Sequence, residues 1–195
     1  NVITLATRPT LKFLMRALIR QPRQSTPFRL LDVGYGDGDM LRAIWRWSQK
    51  HGYPCDLVGV DLNPRSAAVA LSRHPQDASI TYHTGDYLDL AKEPWDFIIS
   101  SLVTHHMSDP QRQAFLIFME TYARRGWFNN DLHRHRFAYH GFPLLARMLF
   151  VHRIVREDGQ LSIARSFRPA EWHEMLAITG IDSKALVHRI FPFRL

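Results

Sequence analysis

Only one cysteine, Cys55, occurs among the 195 residues. That excludes an intramolecular disulfide framework and a cysteine-built zinc site, and it suits a reducing compartment. Long hydrophobic runs are also missing: FIISSLV is short and LLARMLFV is interrupted by Arg147, whereas a membrane span needs roughly 18 uninterrupted apolar residues. Repeats, low-complexity tracts and linker-like stretches are absent, which argues against a repeat array or two tethered domains. No signal-peptide pattern precedes the first helix, and a start at Asn1 without Met reads as a trimmed chain. What remains is globular in composition, 46% hydrophobic and 22% charged, far from the disordered range. One domain over residues 1–195, cytoplasmic and without a membrane span, is expected.

Charge is plentiful but segregated. The net +7 divides into +5 over residues 1–60, −4 over 61–120 and +6 over 121–195. Such a surface suits an anionic partner or nucleic acid and equally a solvated basic face, so charge alone selects no function.

Strand and helix signals alternate along most of the chain. TRPTLKFLMRALIR places Leu11, Leu14, Met15, Leu18 and Ile19 at helical spacing and predicts a helix over about residues 8–21, with Thr7 at its cap. FRLLDV reads as a strand that ends in glycines, followed by a helix with Leu41, Ile44, Trp45 and Ser48 on one face. DLVGVDL is a second strand, and Asn63 with Pro64 caps and opens the next helix. SITYHT, WDFIISSLV and GWFNN supply strands three to five, with a helix from Asp109 whose stripe is Phe115, Phe118, Met119 and Tyr122. Residues 131–165 then break the alternation with a helical patch around Leu144, Leu145, Met148 and Leu149, read as a lid inserted after strand five. A last helix from Pro169 to Thr179 closes at Gly180, and KALVHRIF reads as a sixth strand before PFRL. The sum is an α/β fold with a mostly parallel sheet and a ligand site at the strand carboxyl ends.

The first strand-to-helix turn, LLDVGYGDGDM, carries Gly34, Gly36 and Gly38. Glycine suits a backbone that a ligand must approach closely. Asp61 follows Gly34 by 27 positions at the tip of the second strand, where a carboxylate can accept the hydroxyls of an adenosine ribose, and Asp86 stands at the third tip. A nicotinamide dinucleotide site would space its glycines G-x-G-x-x-G around a pyrophosphate. Here the spacing is G-x-G-x-G, and Asp37 and Asp39 flank the last glycine, where they would repel phosphate. A cationic, phosphate-free adenosine with an amino-acid end fits better, and Asp32 could hold its ammonium group.

Asp32, the three glycines, Asp61, Asp86 and DFIISSLVTHHMSD together resemble the successive motifs of class I S-adenosylmethionine-dependent methyltransferases. The resemblance runs from Phe28 to about Phe193 and implies a three-layer Rossmann-like sheet with helices on both faces. It further implies S-adenosyl-L-methionine as cofactor, with S-adenosyl-L-homocysteine as product. Asp32, Gly34, Tyr35, Gly36 and Gly38 would hold the methionine part, Asp61 and Leu62 the ribose, Asp86 and Tyr87 the adenine, with Ser101 beside them. The HH pair after strand four and NDLHRHRFAYHGF after strand five are similar to small-molecule methyltransferases related to quinone-biosynthesis enzymes and those associated with type III polyketide synthases. Tyr35 and Asp37 depart from the small residues more usual in the family, and the chain stops where a seventh strand would continue.

Methyl transfer in line from a sulfonium depends mainly on positioning. A base is needed when the acceptor is protonated, as a phenol with pKa of about 10 is at neutral pH. Six of the 11 histidines lie between His105 and His152. His133 is the first candidate base, with Asp131 near enough in sequence to orient it, and His106 the second. His105, Arg134, Tyr139 and Phe142 are candidate acceptor contacts, with Phe137 and Phe150 as further lid aromatics. No metal is expected, because His133, His135 and His140 lack a zinc-site pattern. The expected reaction is O-methylation of a small phenolic or polyketide-like acceptor. Nucleic acid is the disfavoured partner, since SSLV stands where base-amine methyltransferases of the superfamily have an Asn/Asp-Pro-Pro-aromatic stretch. A non-catalytic S-adenosylmethionine-binding domain is the remaining alternative, and oligomeric state is not legible.

Overall fold

The computed structural model describes residues 6–19, 26–148, 153–191 and 193–195. The chain packs as two units, residues 1–101 with 118–130, and residues 102–117 with 131–195.

The first unit holds a five-stranded sheet: β1 (Phe28–Val33), β2 (Cys55–Asp61), β3 (Ile80–Thr84), β4 (Trp95–Ser101) and β5 (Ala123–Asn130). Their order is β3-β2-β1-β4-β5 and every pairing is parallel. β1, β2 and β4 read as near-continuous apolar runs because they lie inside a sheet covered on both faces. α1 (Thr7–Ile19), α2 (Asp39–His51) and α3 (Pro64–Leu71) belong to this unit. The chain leaves β1 toward β2 on one side and returns to β4 on the other, so the strand order reverses between β1 and β4. Open parallel sheets bind ligands at such a reversal.

Side-chain periodicity accounts for most of this packing. Leu14 and Leu18 of α1 are buried, and Phe13 stacks on Phe128 with ring centroids 5.2 Å apart. Met15 and Ile19, read as part of the buried stripe, are instead exposed, and Thr10 takes the buried place. Residues 20 and 21, the expected helix end, lie outside the described residues. In α2, Leu41, Ile44 and Ser48 are buried as the pattern predicts, and so is Arg42, for a reason given below. Asn63 caps α3 by accepting from Arg65 N.

α4 (Asp109–Tyr122) runs into β5 with no intervening turn, and β5 starts three residues before the expected GWFNN. A bulge absorbs the join: Trp95 pairs with Ala123 but Phe97 pairs with Gly126, whose φ is 141°. Phe115, Phe118 and Met119 are buried along with Leu116, whereas Tyr122 is exposed.

In the second unit, residues 131–165 form α5 (Arg136–Met148) and α6 (Arg153–Arg165), which pack on one another, followed by α7 (Pro169–Thr179) closed at Gly180. Leu149 and Phe150 lie outside the described residues. The sixth strand expected at KALVHRIF is not formed. A β-rich composition makes a strand only with an edge to pair on; here Leu186 and Phe191 are exposed and the segment's single bridge joins Ile190 to Arg194. The end of PFRL pairs instead: Asp131 and Leu195 exchange two backbone hydrogen bonds at 3.0 Å, and His133 N donates to Phe193 O at 2.9 Å.

Gly59 in β2 lies under the ring of Tyr35, and a Cβ there would meet Tyr35 Cδ1 at 2.6 Å and Leu41 Cδ1 at 2.8 Å. Both neighbours are buried and have little room to yield. Gly59→Ala is expected to cost about 1–3 kcal/mol through overpacking, a fall of roughly 2–12 °C in Tm, measured by scanning calorimetry.

Candidate active site

Three glycines after β1 have left-handed backbones, with φ of 78° at Gly34, 57° at Gly36 and 76° at Gly38. Gly34 N donates to Val60 O at 2.8 Å and Gly38 N to Tyr35 O at 2.9 Å. Asp61 ties the turn to β2: its Oδ2 accepts from Gly36 N at 2.9 Å and its Oδ1 from Asn63 N at 2.8 Å. A Cβ built at Gly36 meets nothing within 4 Å, so the turn faces open space. Tyr35, where a small residue was the more usual choice, turns inward, buried on Gly59 and with its ring 5.1 Å from that of Tyr82.

Asp32 lies within β1, 1% exposed, paired in register with Gly59 and Ile99. Its Oδ2 is buried and has no hydrogen-bond partner among the described residues. Burial, and secondarily the Asp61 charge, push its pKa up to about 7. An unpartnered buried carboxyl is costly and calls for a donor or a positive charge.

Asp37 and Asp39 flank Gly38 as read from the sequence, with arginines beside them. Arg42, drawn into the interior, forms an ion pair with Asp39 and donates to Asp37 O at 2.7 Å, and Arg73 Nη1 lies 3.4 Å from Asp37 Oδ2. Each of the two carboxylates thus has a cationic neighbour.

The other first-unit candidates follow the strand ends. Leu62 is exposed just past β2. Asp86 caps the short 3-10 turn Tyr87–Leu90, accepting from Leu88 N at 2.9 Å. Tyr87 meets Phe118 edge-on at 4.7 Å, and burial followed by the Asp86 charge raises its phenol pKa. Ser101 Oγ donates to Asn130 O at 3.4 Å across β4 and β5, and its neighbour Ser100 donates to Val33 O at 3.0 Å.

Within the second unit, Asp131 does not orient His133. It is fully buried and bonds His105 instead: Oδ1 lies 2.7 Å from His105 Nδ1 and accepts from Leu132 N at 2.7 Å, while Oδ2 accepts from His105 N at 3.0 Å and from the Thr104 hydroxyl. Burial alone would raise the Asp131 pKa, but the bonds from His105, Thr104 and Leu132 outweigh it and hold the carboxyl below its usual range. His105 is 6% exposed, and its Nε2 has no partner among the described residues. Thr104 is not among the residues singled out from the sequence, where His105 figures only as a candidate acceptor contact. The available signal was the strand pairing, since Thr104 and Asp131 leave β4 and β5 just past the Ser101–Asn130 register.

His106 packs against His105 with ring centroids 4.1 Å apart. His133 lies beside His135, 5.4 Å between rings; burial first, then the charges of His135, Arg189 and Arg168, lower its pKa. It lines a cavity of about 1250 Å³ with Arg134, His135, Arg136, Phe137, Tyr139, His140, Arg168 and Arg189. Arg134 is also paired with Glu171. Phe142 does not line this cavity; it packs on Gly159 of α6, where a Cβ would fall 2.4 Å from Phe142 Cε1.

Comparison with known proteins agrees with this geometry. Residues 30–126, which span the sheet from β1 into β5, match the family described as methyltransferase domain. Among curated proteins no sequence matches the chain. Solved structures with the same fold include the plantazolicin methyltransferase BamL, in complex with a triazolic desmethylPZN analog and SAH, at TM-score 0.68 and 14% identity over 94% of this chain and 65% of that one. The CMeT domain of the citrinin polyketide synthase aligns at TM-score 0.62 and 14% identity, over 87% of this chain and 45% of that one. Magnesium protoporphyrin IX methyltransferase ChlM from Synechocystis PCC 6803, with bound SAH, aligns at TM-score 0.56 and 15% identity, over 90% of this chain and 74% of that one. The chain thus spans less than two thirds of the length of the first two. The family match identifies residues 30–126 as a methyltransferase domain, and the sheet that carries it has the fold of these methyltransferase structures.

Proposed function

We propose that the protein transfers a methyl group from S-adenosylmethionine to oxygen of a small phenolic or polyketide-like acceptor. The observation that carries the cofactor half is the orphaned buried carboxyl of Asp32 beside an open glycine turn. Asp32 fits the ammonium of an amino-acid ligand, the positive-φ turn leaves room for its chain, and the half-buried Asp61 keeps lone pairs for a ribose. Leu62, Asp86, Tyr87 and Ser101 complete the proposed contacts at the ends of β2, β3 and β4. When bound, the sulfonium supplies an electrophilic methyl carbon, and its S–C bond breaks with the electron pair returning to sulfur.

The acceptor half rests on the second unit's cavity, whose wall alternates aromatic and basic groups: Phe137 and Tyr139 with Arg136, Arg168 and Arg189. A planar acceptor with a phenolate or carboxylate is matched by stacking and by charge. His133, whose pKa is lowered by burial and by its basic neighbours, and Arg134 are the proposed acceptor contacts here. α5 and α6 then serve as the lid of this cavity. Among the described residues no helix is long and apolar enough to cross a membrane, and the lone Cys55, free and buried, supports a cytoplasmic setting.

Asp32 gives a pH test with a definite sign. Its pKa of about 7 in the free protein lies above the roughly 3.9 of an unfolded aspartate. The free protein should therefore lose stability as pH rises from about 4 to 7, at up to about 1.4 kcal/mol per pH unit from this group. A bound ammonium reverses the preference, so S-adenosylmethionine affinity should rise with pH up to about 7, by at most about tenfold per unit, with release of a proton. Calorimetry in buffers of different ionisation enthalpy measures both, and Asp32→Asn should abolish the slope. Preferential binding of NAD, or a pH-independent S-adenosylmethionine affinity, would count against the assignment.

The basic cavity gives a second test. Mixed RNA and DNA oligonucleotides, titrated from about 50 to 200 mM salt, should bind weakly and gain no methyl group. Tight binding with a steep salt slope and methyl incorporation would make nucleic acid the acceptor.

A further inference from the structure

We infer that the second unit's cavity holds a phosphate monoester, so that the acceptor is an aromatic compound carrying one. Calling this ligand the acceptor rests on the methyl-transfer reading above, whereas its binding does not. The cavity wall is charged with one sign. Arg136 from the start of α5, Arg168 just ahead of α7 and Arg189 from beyond its end meet there with His133, His135 and His140, and no Asp or Glu lines the wall among the described residues. Glu171, in the first turn of α7, is already engaged: it pairs with Arg134, and its Oε2 accepts from Arg168 N at 2.6 Å. The guanidiniums of Arg136, Arg168 and Arg189 are left with no carboxylate partner among the described residues. Pro169 and Ala170 add the first turn of α7 to the wall, where the positive end of the helix dipole favours an anion.

Two explanations compete. A merely solvated basic surface gains nothing by bringing cations from three separate segments into one concavity, where they repel one another; a cleft of one sign instead focuses its field and concentrates anions. The repulsion is felt at His133, whose pKa is held low by burial first and then by the charges of His135, Arg189 and Arg168. The number of donors selects the anion. A carboxylate has two oxygens, which one guanidinium fork can satisfy, and it would leave the other arginines unanswered. A phosphate monoester brings three terminal oxygens and close to two negative charges. The body of the ligand is matched by rings. Phe137 and Tyr139 are exposed on the same wall, and His135 stacks on Phe137 with ring centroids 5.4 Å apart, so an aromatic face finds partners beside the arginines.

Calorimetric titration of the full chain with phenyl phosphate, benzoate, phenol and inorganic phosphate tests this with no cofactor present. Phenyl phosphate should bind at least about tenfold tighter than the other three, and Arg168→Gln and Arg189→Gln should each weaken it by about tenfold, the loss of a charge-assisted hydrogen bond. Arg165→Gln removes an equal charge from the end of α6, outside the cavity wall, and should leave the affinity as it was. Tm should be unchanged in all three variants. In NMR spectra the His133 imidazole should titrate at higher pH once phenyl phosphate is bound, because the anion offsets Arg168 and Arg189. Equal affinity for benzoate or for inorganic phosphate, an equal loss in Arg165→Gln, or a His133 titration unmoved by the ligand would each overturn the assignment. So would a mixed oligonucleotide that binds more tightly, per phosphate, than phenyl phosphate does. If phenyl phosphate bound as expected but S-adenosylmethionine did not, the anion site would stand and the methyl-transfer reading would fail; methylation of plain phenols with no affinity for phenyl phosphate would do the reverse.

Discussion

A single carboxylate, Asp61, decides the shape of the loop on which the first unit's site is built. Its two oxygens hold Gly36 N and Asn63 N at once, so the tip of β2 and the turn after β1 cannot move independently. The left-handed glycines are the backbone's side of the same constraint: without a Cβ, residue 36 can present its N–H to Asp61 and its open side outward. Asp32 then lives with the consequence. It shares an acidic neighbourhood with Asp61 and is buried, and both raise its pKa to about 7. The turn is therefore rigid in geometry but adjustable in charge.

The second unit solves the opposite problem. Asp131 is as buried as Asp32, yet four donors surround it and its proton affinity falls. One buried aspartate has an oxygen with no partner among the described residues, and the other is ringed by donors. The difference shows why burial alone does not set a pKa; the donors and charges within reach decide its direction. Thr104 and His105 reach Asp131 only because β4 and β5 are hydrogen-bonded neighbours. In sequence they are 27 and 26 residues away.

That separation explains what could be read in advance. Local signals carried the strands, the glycine turn, Asn63 as cap and Asp61 at a strand tip, because each depends on residues a few positions apart. Arg42 folds inward to answer Asp39 and the Asp37 carbonyl, contacts that the apolar period of the helix does not announce. The Asp131–His133 pairing was attractive on proximity in sequence and fails because tertiary neighbours outcompete it. KALVHRIF has strand composition, yet its single bridge among the described residues joins Ile190 to Arg194, and strand composition alone does not secure a pairing. Helices α5 and α6 were legible as helical, whereas the basic cavity emerges only when Arg168 and Arg189, distant in sequence, come together with His133.

The direct passage from α4 into β5 sets a limit on how this chain can vary. Between Tyr122 and Ala123 there is no loop to absorb a change in length. One residue more or fewer would rotate every preceding helical side chain by about 100°, or exchange the two faces of β5. Variation in length among descendants of this sequence is therefore confined elsewhere, and the junction acts as a ruler: it keeps Asn130, and with it the start of everything that follows the sheet, at a fixed count from the buried face of α4.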